Sequence, residues 1–372
     1  MQYSLLSEVK HRVAVGQGLP FNVYHLDLGL LLARGQVLGS QTQLDALLQR
    51  GALVDLADLQ SPSDLIRFAS PAQLPAIWRQ TMLRLGETLM SASNQAGFAD
   101  ALDELTPAVL SLIERDKDLA IFQIIKRNDS ERLQYGVKHA VQCAVTSFLV
   151  AQRLGWQDSE SHKVFKIALT MDISILSLQE SLAEQTTALT AEQRAAVQAH
   201  PTRSAQMLAL AGIVDGEWLQ AVARHHETAE GDGYPSGCRE PGDMALLAQR
   251  ADAYTAKLSP RQGRAAMAAD RAGRMMFIQD GGHPMTAALI KEFGVYPPGC
   301  FVRLASGETG VVVKRGSSVM TPIVAALTSP YGKTLAQAIR RDTAERAYCI
   351  HHVLGDCGQL ERMPAEALLA LS

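Results

Sequence analysis

The sequence predicts a mainly α-helical protein with a small mixed N-terminal module and a short β-rich piece near the C-terminus. Apolar residues recur at helical spacing through the middle of the chain, from residue 70 to about residue 293. After residue 299 the pattern changes to short apolar runs around a turn. A hydrophobic fraction of 47% over 372 residues allows a sizeable core and more than one domain. We therefore predict three regions, residues 1–70, 71–295 and 296–372.

Net charge, apolar stretches and cysteine content indicate which partners and which cellular compartment to expect. The net charge of −3 provides no basic field, so we expect no nucleic-acid partner. The longest apolar stretch, residues 144–151, is far shorter than the ~20 residues of a membrane-spanning helix, so we expect no membrane segment. The five cysteines are odd in number and contain no C-x-x-C pair, which favours a reducing compartment. The N-terminus also lacks the apolar core of a signal peptide, and we expect a cytoplasmic protein.

The first 70 residues contain signals for two strands and a helix. Phe21–His25 and Gly29–Arg34 are short apolar runs that suggest a strand pair. Ser40 and Gln43 form a capping-box pattern that begins a short helix, and Gly51 can end it. Because no residue pattern here indicates chemistry, we interpret the segment as a regulatory or dimerisation module, which leaves a homodimer open.

Two prolines lie inside apolar runs of helical spacing. Pro107 falls within Leu102–Ile113, and Pro201 falls within the helix that a capping box at Thr190 and Gln193 begins. A proline inside a helix removes a backbone hydrogen bond, so we expect both helices to be interrupted.

A hairpin is predicted after residue 296. Phe301–Leu304 and Gly310–Lys314 flank a turn at Ser306–Thr309. We expect this β-rich piece to end near residue 330. The tail is expected to be helical at Leu335–Ile339 and at Pro364–Leu371.

Five features of the helical part could carry chemistry: His139, Met171-Asp172, His200-Pro201, His225-His226-Glu227 and Asp252. Each lies on or next to a predicted helix, and helical bundles build metal sites from histidine and carboxylate side chains that meet at one point. Asp172 lies in an otherwise apolar run, where burying a carboxylate is costly unless it is paired or bound to a cation. A single histidine on a helix is more often a structural residue than a metal ligand, so the spacing of these residues does not by itself establish a metal site.

A long motif supports the functional interpretation. The run from His225 to Pro235, HHETAEGDGYP, resembles the HHE-x-x-DG-x-GYP signature of HD-GYP domains, with Glu230 where the family has aspartate. Further segments resemble other family motifs in the same order along about residues 130–295. They are the helix with His139, the pair His200-Pro201, the run Ala251-Asp252-Ala253-Tyr254, and Ser259 with Arg261 and Arg264.

This resemblance implies an HD-GYP helical bundle, a branch of the HD phosphohydrolases that hydrolyses cyclic-di-GMP with bound metal ions. The implied chemistry is metal-assisted hydrolysis, in which cations hold the phosphate and activate water. Imidazole and carboxylate donors suit a transition metal, with iron or manganese expected and one or two ions bound. The implied metal ligands are His139, Asp172, His200, His225, His226 and Asp252, with Asp172 also catalytic.

The resemblance also implies contacts with substrate and with partners. Arg261 and Arg264 would neutralise the phosphate charge of cyclic-di-GMP or a related nucleotide, although a solvated loop face explains these arginines equally well. The family's GYP loop is associated with contacts to GGDEF-domain proteins. In this chain that loop contains Gly231, Gly233, Tyr234 and Pro235.

Part of the family pattern is altered. The HD-x-GK motif of the family falls at residues 171–175, where Met171 replaces histidine, Ser174 replaces glycine and Ile175 replaces lysine. Tyr135 stands where some members have a glutamate ligand, and Thr255 stands where an aspartate often follows the late aspartate.

These changes affect the two implied metal positions unequally. One position keeps its full ligand set, whereas the other, with His139 and Asp252, has lost a histidine. A thioether is a soft ligand that suits an oxygen-rich site poorly, and Ile175 removes a cationic donor beside the phosphate. We therefore expect a signalling protein with weak or absent hydrolysis of cyclic-di-GMP. The alternative is an active metal-dependent phosphodiesterase that uses a reduced ligand set.

Overall fold

Helices dominate the chain, and antiparallel sheets lie near both ends, as the sequence predicts. The computed structural model describes residues 3–55, 62–92, 97–126, 134–262, 264–355, 357–358, 360 and 363–372. The chain divides into two compact units, Met1–Ala69 and Ser70–Ser372.

The N-terminal unit contains a four-stranded antiparallel sheet in the order β1-β4-β2-β3. The predicted strand pair is present as β2 and β3, and Ser40 caps α1 by accepting a hydrogen bond from the backbone N–H of Gln43 at 3.2 Å. Phe21, Val23 and Val54 lie in the core of the unit. Its elements are β1 (Tyr3–Leu5), a 3-10 helix (Leu6–Arg12), β2 (Val23–Tyr24), β3 (Leu30–Leu32), α1 (Gln41–Gln49), β4 (Leu53–Asp55) and α2 (Pro62–Phe68).

The second unit begins with a series of helices that surround one buried helix. The helices are α3 (Leu74–Ser91), α4 (Phe98–Arg115), α5 (Lys117–Ile125), α6 (Tyr135–Leu154), α7 (Asp158–Thr170), α8 (Leu176–Glu184), α9 (Ala191–Leu210), α10 (Gly216–Arg224), α11 (Asp243–Leu258), α12 (Ala269–Gln279) and α13 (Pro284–Phe293). Helix α6 contacts α7, α8, α11 and α13. Apolar side chains all round make α6 the centre of the bundle.

The two prolines do not interrupt their helices, so that prediction was wrong. Pro107 lies inside the continuous helix α4, and Pro201 lies inside the continuous helix α9. Pro201 has no N–H for the carbonyl of Val197, four residues before it. The side chain of His200 takes that place, because its Nδ1 lies 2.5 Å from the Val197 oxygen. A local side-chain donor thus replaces the missing backbone bond.

The C-terminal part of the second unit is a five-stranded antiparallel sheet in the order β8-β7-β6-β5-β9. Its strands are β5 (Phe301–Leu304), β6 (Thr309–Lys314), β7 (Ile323–Thr328), β8 (Thr334–Asp342) and β9 (Ile350–Leu354), followed by α14 (Ala365–Leu369). The predicted hairpin is confirmed as β5 and β6. The helix expected at residues 335–339 and the end of the sheet near residue 330 were both wrong, because pairing with β7 holds this segment extended.

The sheet packs against the helices of the same unit. Phe122 of α5 lies in one apolar cluster with Val311 and Ala325 of the sheet. Arg315 donates to Asp118 of α5 and, at 3.1 Å, to the backbone carbonyl of Glu292 in α13. Among the described helices, none is long and apolar enough to cross a membrane. None of the cysteines in the described residues forms a disulfide.

Candidate metal centre

Four of the predicted ligands meet at one point, which we call the four-residue cluster: Asp172, His200, His225 and His226. One ligand atom from each side chain lies within 4.8 Å of all the others. Asp172 lies in the turn between α7 and α8, His200 in α9, and the two adjacent histidines at the end of α10. Three separate segments of the bundle therefore contribute to a single centre.

Backbone carbonyls fix the orientation of two of these imidazoles. The Nδ1 atom of His200 lies 2.5 Å from the carbonyl oxygen of Val197, and Nδ1 of His225 lies 2.7 Å from that of Val222. A carbonyl oxygen only accepts, so each Nδ1 carries the proton. In the neutral rings, Nε2 then carries the lone pair, which is the form that binds metal.

Three acceptor atoms consequently face one another. The Nε2 atoms of His200 and His225 are 3.0 Å apart, and Oδ1 of Asp172 lies 2.9 Å from the first and 3.6 Å from the second. Burial would raise the pKa of the Asp172 carboxyl, but its contacts with the two histidines outweigh burial and hold this pKa well below its usual range. A carboxylate and two imidazole nitrogens at this separation need a shared positive charge, either a proton on His200 or a metal ion, and the spacing is that of ligands about 2 Å from one ion. The residues therefore fit a metal.

His226 completes the cluster beside the predicted loop. Burial, together with His225, lowers the pKa of His226 to about 3, so its imidazole is neutral near pH 7. Its ring stacks on Tyr234 with centroids 4.6 Å apart. The amide Nε2 of Gln179 donates to Oδ2 of Asp172 at 2.8 Å and orients that carboxylate. Sequence reasoning missed Gln179, since nothing in its spacing distinguishes it from other residues of α8.

Glu227 organises the GYP loop rather than joining the cluster. Its Oε1 accepts from the backbone N–H and the hydroxyl of Ser236, both at 2.7 Å, and its Oε2 accepts from the N–H of Cys238 at 3.0 Å. Gly233 passes so close that an added Cβ would lie 2.4 Å from the His226 carbonyl oxygen. Gly231 adopts a φ of +80°, which favours glycine. The loop is thereby held against the cluster.

The other two predicted ligands, His139 and Asp252, meet separately and with an additional residue, Cys143. We call these three the thiol cluster. Nε2 of His139 lies 2.7 Å from Oδ1 of Asp252 and 3.6 Å from Sγ of Cys143. Burial opposes protonation of His139, but the contacts with Cys143 and Asp252 raise its pKa well above the ordinary value. Positive charge is therefore favoured at this point. Sequence reasoning missed Cys143, although its position four residues after His139 places both on one helix face.

Two of the altered positions carry buried apolar side chains. Met171 is fully buried, and Ile175 is 8% exposed. The hydroxyl of Ser174 lies 2.9 Å from that of Ser204 and 3.2 Å from the carbonyl oxygen of His200. Serine at this position therefore ties the turn of Asp172 to α9.

The two predicted substrate arginines have different surroundings. Nε of Arg261 donates to the hydroxyl of Tyr135 at 2.9 Å, and the Tyr135 ring stacks on His139 with centroids 6.1 Å apart. Arg264 donates to the carbonyl of Ala256 at 2.5 Å, near the end of α11. Arg261 is thus placed beside the thiol cluster, whereas Arg264 donates to a carbonyl in the last turn of α11.

Comparisons with known proteins agree with this architecture. Residues 124–279 match the HD domain family. The chain is 28% identical over 295 residues to cyclic di-GMP phosphodiesterase PA4108 of Pseudomonas aeruginosa, a match covering 76% of this chain and 66% of that protein. It is 31% identical over 144 residues to 3'3'-cGAMP-specific phosphodiesterase 3 of Vibrio cholerae, covering 38% of this chain and 31% of that protein. The chain thus spans just under two thirds of the first relative and about a third of the second.

A solved structure has the same fold. Bd1817, an HDG"Y"P protein from Bdellovibrio bacteriovorus, superimposes with a TM-score of 0.51 at 18% identity, over 78% of this chain and 97% of that one. Residues 124–279 therefore match an HD domain, and the resemblance to HD-GYP proteins that the motif predicts is confirmed.

Proposed function

We propose that this chain is a bacterial cyclic-di-GMP signalling protein that binds a metal ion at the four-residue cluster and hydrolyses the nucleotide slowly or not at all. The observation that carries the metal site is the convergence of Oδ1 of Asp172 with the Nε2 atoms of His200 and His225. In this proposal Asp172, His200, His225 and His226 hold the ion, iron or manganese, with Asp172 as a catalytic residue.

A bound ion would supply Lewis acidity toward a phosphate oxygen and toward water. The chain's own contribution is positioning. The carbonyls of Val197 and Val222 orient two imidazoles, and Gln179 orients the carboxylate of Asp172. Arg261, held by Tyr135, offers a cation beside the thiol cluster, and Arg264 remains a second candidate for phosphate contact.

The altered motif supports slow hydrolysis. Met171 and Ile175 place buried apolar side chains where the family has a ligand and a cationic donor. Losing one electrostatic donor typically costs ~10²–10³ in rate. Nothing in these two side chains can stabilise charge that develops on a phosphate.

A cyclic dinucleotide is the proposed ligand class. The names of both curated relatives specify phosphodiesterases, one for cyclic di-GMP and one for 3'3'-cGAMP. A cytoplasmic location, GGDEF-domain partners at the loop from Gly231 to Pro235, and a homodimer through the N-terminal module belong to the same proposal.

The second candidate is an active phosphodiesterase with a reduced ligand set. The thiol cluster favours it, because His139 and Asp252 remain together despite the loss of the motif histidine. Both candidates share the four-residue cluster and differ only in the rate of hydrolysis.

Anaerobic purification, elemental analysis and a cyclic-di-GMP turnover assay test the proposal. We expect at least one transition-metal ion per chain, a lower content in His225→Ala, and turnover at or near the background rate. Absence of metal would contradict the proposed site. Rapid turnover that Asp172→Ala abolishes would establish the second candidate instead.

A further inference from the structure

We propose that Cys143 is a thiolate ligand that, with His139 and Asp252, forms a second metal position selective for a thiophilic ion such as zinc or cobalt. This inference rests on the proposed metal-binding function of the domain. It adds a ligand that lies outside the altered motif and on a different helix.

Two neighbouring helices present the donors to each other. His139 and Cys143 are four residues apart on α6, so they lie one turn apart on the same face. Asp252 and Thr255 are three residues apart on α11, which packs directly against α6. Sγ of Cys143 lies 3.2 Å from Oγ1 of Thr255, so these faces of α6 and α11 are in direct contact.

The distances suit a shared ion. The separation of 3.6 Å between Nε2 of His139 and Sγ of Cys143 equals the ~3.6 Å expected between nitrogen and sulfur ligands of tetrahedral zinc. The three ligand atoms all lie within 4.8 Å of one another. Nε2 of His139 and Oδ1 of Asp252 are closer, at 2.7 Å, and need to separate by about half an ångström to become two ligands.

The polar contacts of the His139 ring among the described residues are all made by its Nε2 atom. Its Nδ1 is buried and has no hydrogen-bond partner there, in contrast to His200 and His225 with their carbonyls. In the described part of the chain, only Asp252 and Cys143 make polar contacts with the His139 ring. An imidazole that is 2% exposed is thus directed at a carboxylate and a thiol.

Without an ion, the Cys143 thiol is placed to donate its proton to the oxygen of the Thr255 hydroxyl. The Thr255 hydroxyl lies 2.8 Å from the carbonyl of Ala251, to which it donates, and its oxygen can then accept from the Cys143 thiol. When a divalent ion binds, the sulfur–hydrogen bond breaks, a metal–sulfur bond forms and the proton leaves to solvent, with no change of oxidation state. Thr255 remains as an oxygen neighbour of the coordinated sulfur.

Thiolate ligation changes which metal this position prefers. Sulfur ligands favour zinc, cobalt and iron over magnesium and manganese. The two clusters of this chain therefore differ in softness, with imidazole and carboxylate at one and an added thiolate at the other. A mixed metal content follows when both kinds of ion are supplied.

Cobalt provides a readout that does not depend on activity. Metal-free protein loaded with Co²⁺ should bind two ions per chain and show a thiolate-to-cobalt charge-transfer band in the near ultraviolet. Cys143→Ser should lose this band and bind one ion fewer. Cys349→Ser, which changes an exposed thiol, should leave the band and the stoichiometry unchanged.

His225→Ala separates this inference from the proposed function. It should remove the other ion and keep the band. One bound ion without a band in the wild-type protein overturns the thiolate site and leaves the four-residue cluster standing, whereas no bound ion overturns both. A band that persists in Cys143→Ser also overturns the inference.

A measurement on the unaltered chain covers the case in which Cys143→Ser fails to fold. X-ray absorption of the zinc-loaded wild-type protein should reveal sulfur at about 2.3 Å from zinc. Coordination by nitrogen and oxygen alone overturns the proposal.

Discussion

The Nε2 atoms of His200 and His225 face each other at 3.0 Å, and each ring is turned by a hydrogen bond from its Nδ1 to a backbone carbonyl. These bonds leave a lone pair on both facing nitrogens. Two lone pairs cannot stabilise one another, and the Asp172 carboxylate adds a further acceptor. A shared positive charge, a proton on His200 or a metal ion, stabilises this arrangement, and the backbone carbonyls leave the facing Nε2 atoms available for it.

Pro201→Ala should weaken metal binding while leaving the helix intact. The new N–H at position 201 competes with Nδ1 of His200 for the carbonyl of Val197. Loss of a bond that orients a ligand typically costs about 10–100-fold in metal affinity. Competition with a chelator of known affinity measures the change. Pro107→Ala is the matched control, since it also restores an N–H inside a helix but lies outside both clusters. Equal metal affinities in the two variants would contradict this account.

Repair of the altered motif should raise turnover. In Met171→His with Ile175→Lys, the first change adds a ligand and the second adds a cation. Each restored group is expected to contribute ~10²–10³ in rate. Steady-state cyclic-di-GMP hydrolysis and metal content are the measurements. Asp172→Ala in the repaired protein should abolish the gain.

A third change, Ser174→Gly, follows if the double variant binds metal poorly. It removes the serine hydroxyl that contacts Ser204 and the carbonyl of His200, at a cost of about 1 kcal/mol in stability. A repaired protein that gains metal and no rate would place the defect elsewhere, with Arg261 and Arg264 as the next residues to examine.

Glu227→Gln should loosen the GYP loop. The carboxylate accepts three hydrogen bonds from Ser236 and Cys238. In glutamine an NH₂ group replaces one of the two oxygens, and this group can only donate, so at least one of these hydrogen bonds is lost. The expected loss is about 1–3 kcal/mol. Hydrogen exchange should become faster at residues 236 and 238. Glu230→Gln, at an exposed position in the same loop, is the control and should exchange as the wild type does.

Acid should weaken the C-terminal sheet through Glu308. Burial opposes ionisation of this carboxyl, but Arg341 and Ser306 outweigh burial and lower its pKa below the ordinary 4.5. Nη2 of Arg341 donates to Oε1 at 2.8 Å and its Nε to Oε2 at 3.1 Å. Because the folded pKa is lower than the unfolded one, the stabilisation is fully present above pH 4.5 and disappears as the pH falls through the folded pKa.

Urea unfolding of the wild type and of Glu308→Gln at several pH values checks this sign. We expect the variant to be less stable by about 1–3 kcal/mol at pH 7, and the difference to shrink in acid. Glu345→Gln is the control, since it changes an exposed carboxylate near the same arginine. A difference that grows as the pH falls would contradict the assignment.

Local sequence patterns did not predict every element of the fold correctly. The segment from Thr334 to Asp342 has a periodicity that suggested a helix at residues 335–339, yet it pairs with β7 and is extended. Strand pairing depends on the partner strand and on burial, and neither is encoded within a short window. For Pro201, the sequence indicated a break, but the helix is continuous, and the side chain of His200 contacts the carbonyl that Pro201 leaves without a backbone donor.

The sequence by itself determined the domain type, because the run from His225 to Pro235 combines residues whose spacing is specific and local. It also determined the β5–β6 hairpin, since turn chemistry acts over a few residues. Only the tertiary structure decided that Cys143 lies beside Asp252, more than a hundred residues away, and that Gln179 orients Asp172. Which side chains meet across two helices depends on how the helices pack, and that packing is a property of the whole core.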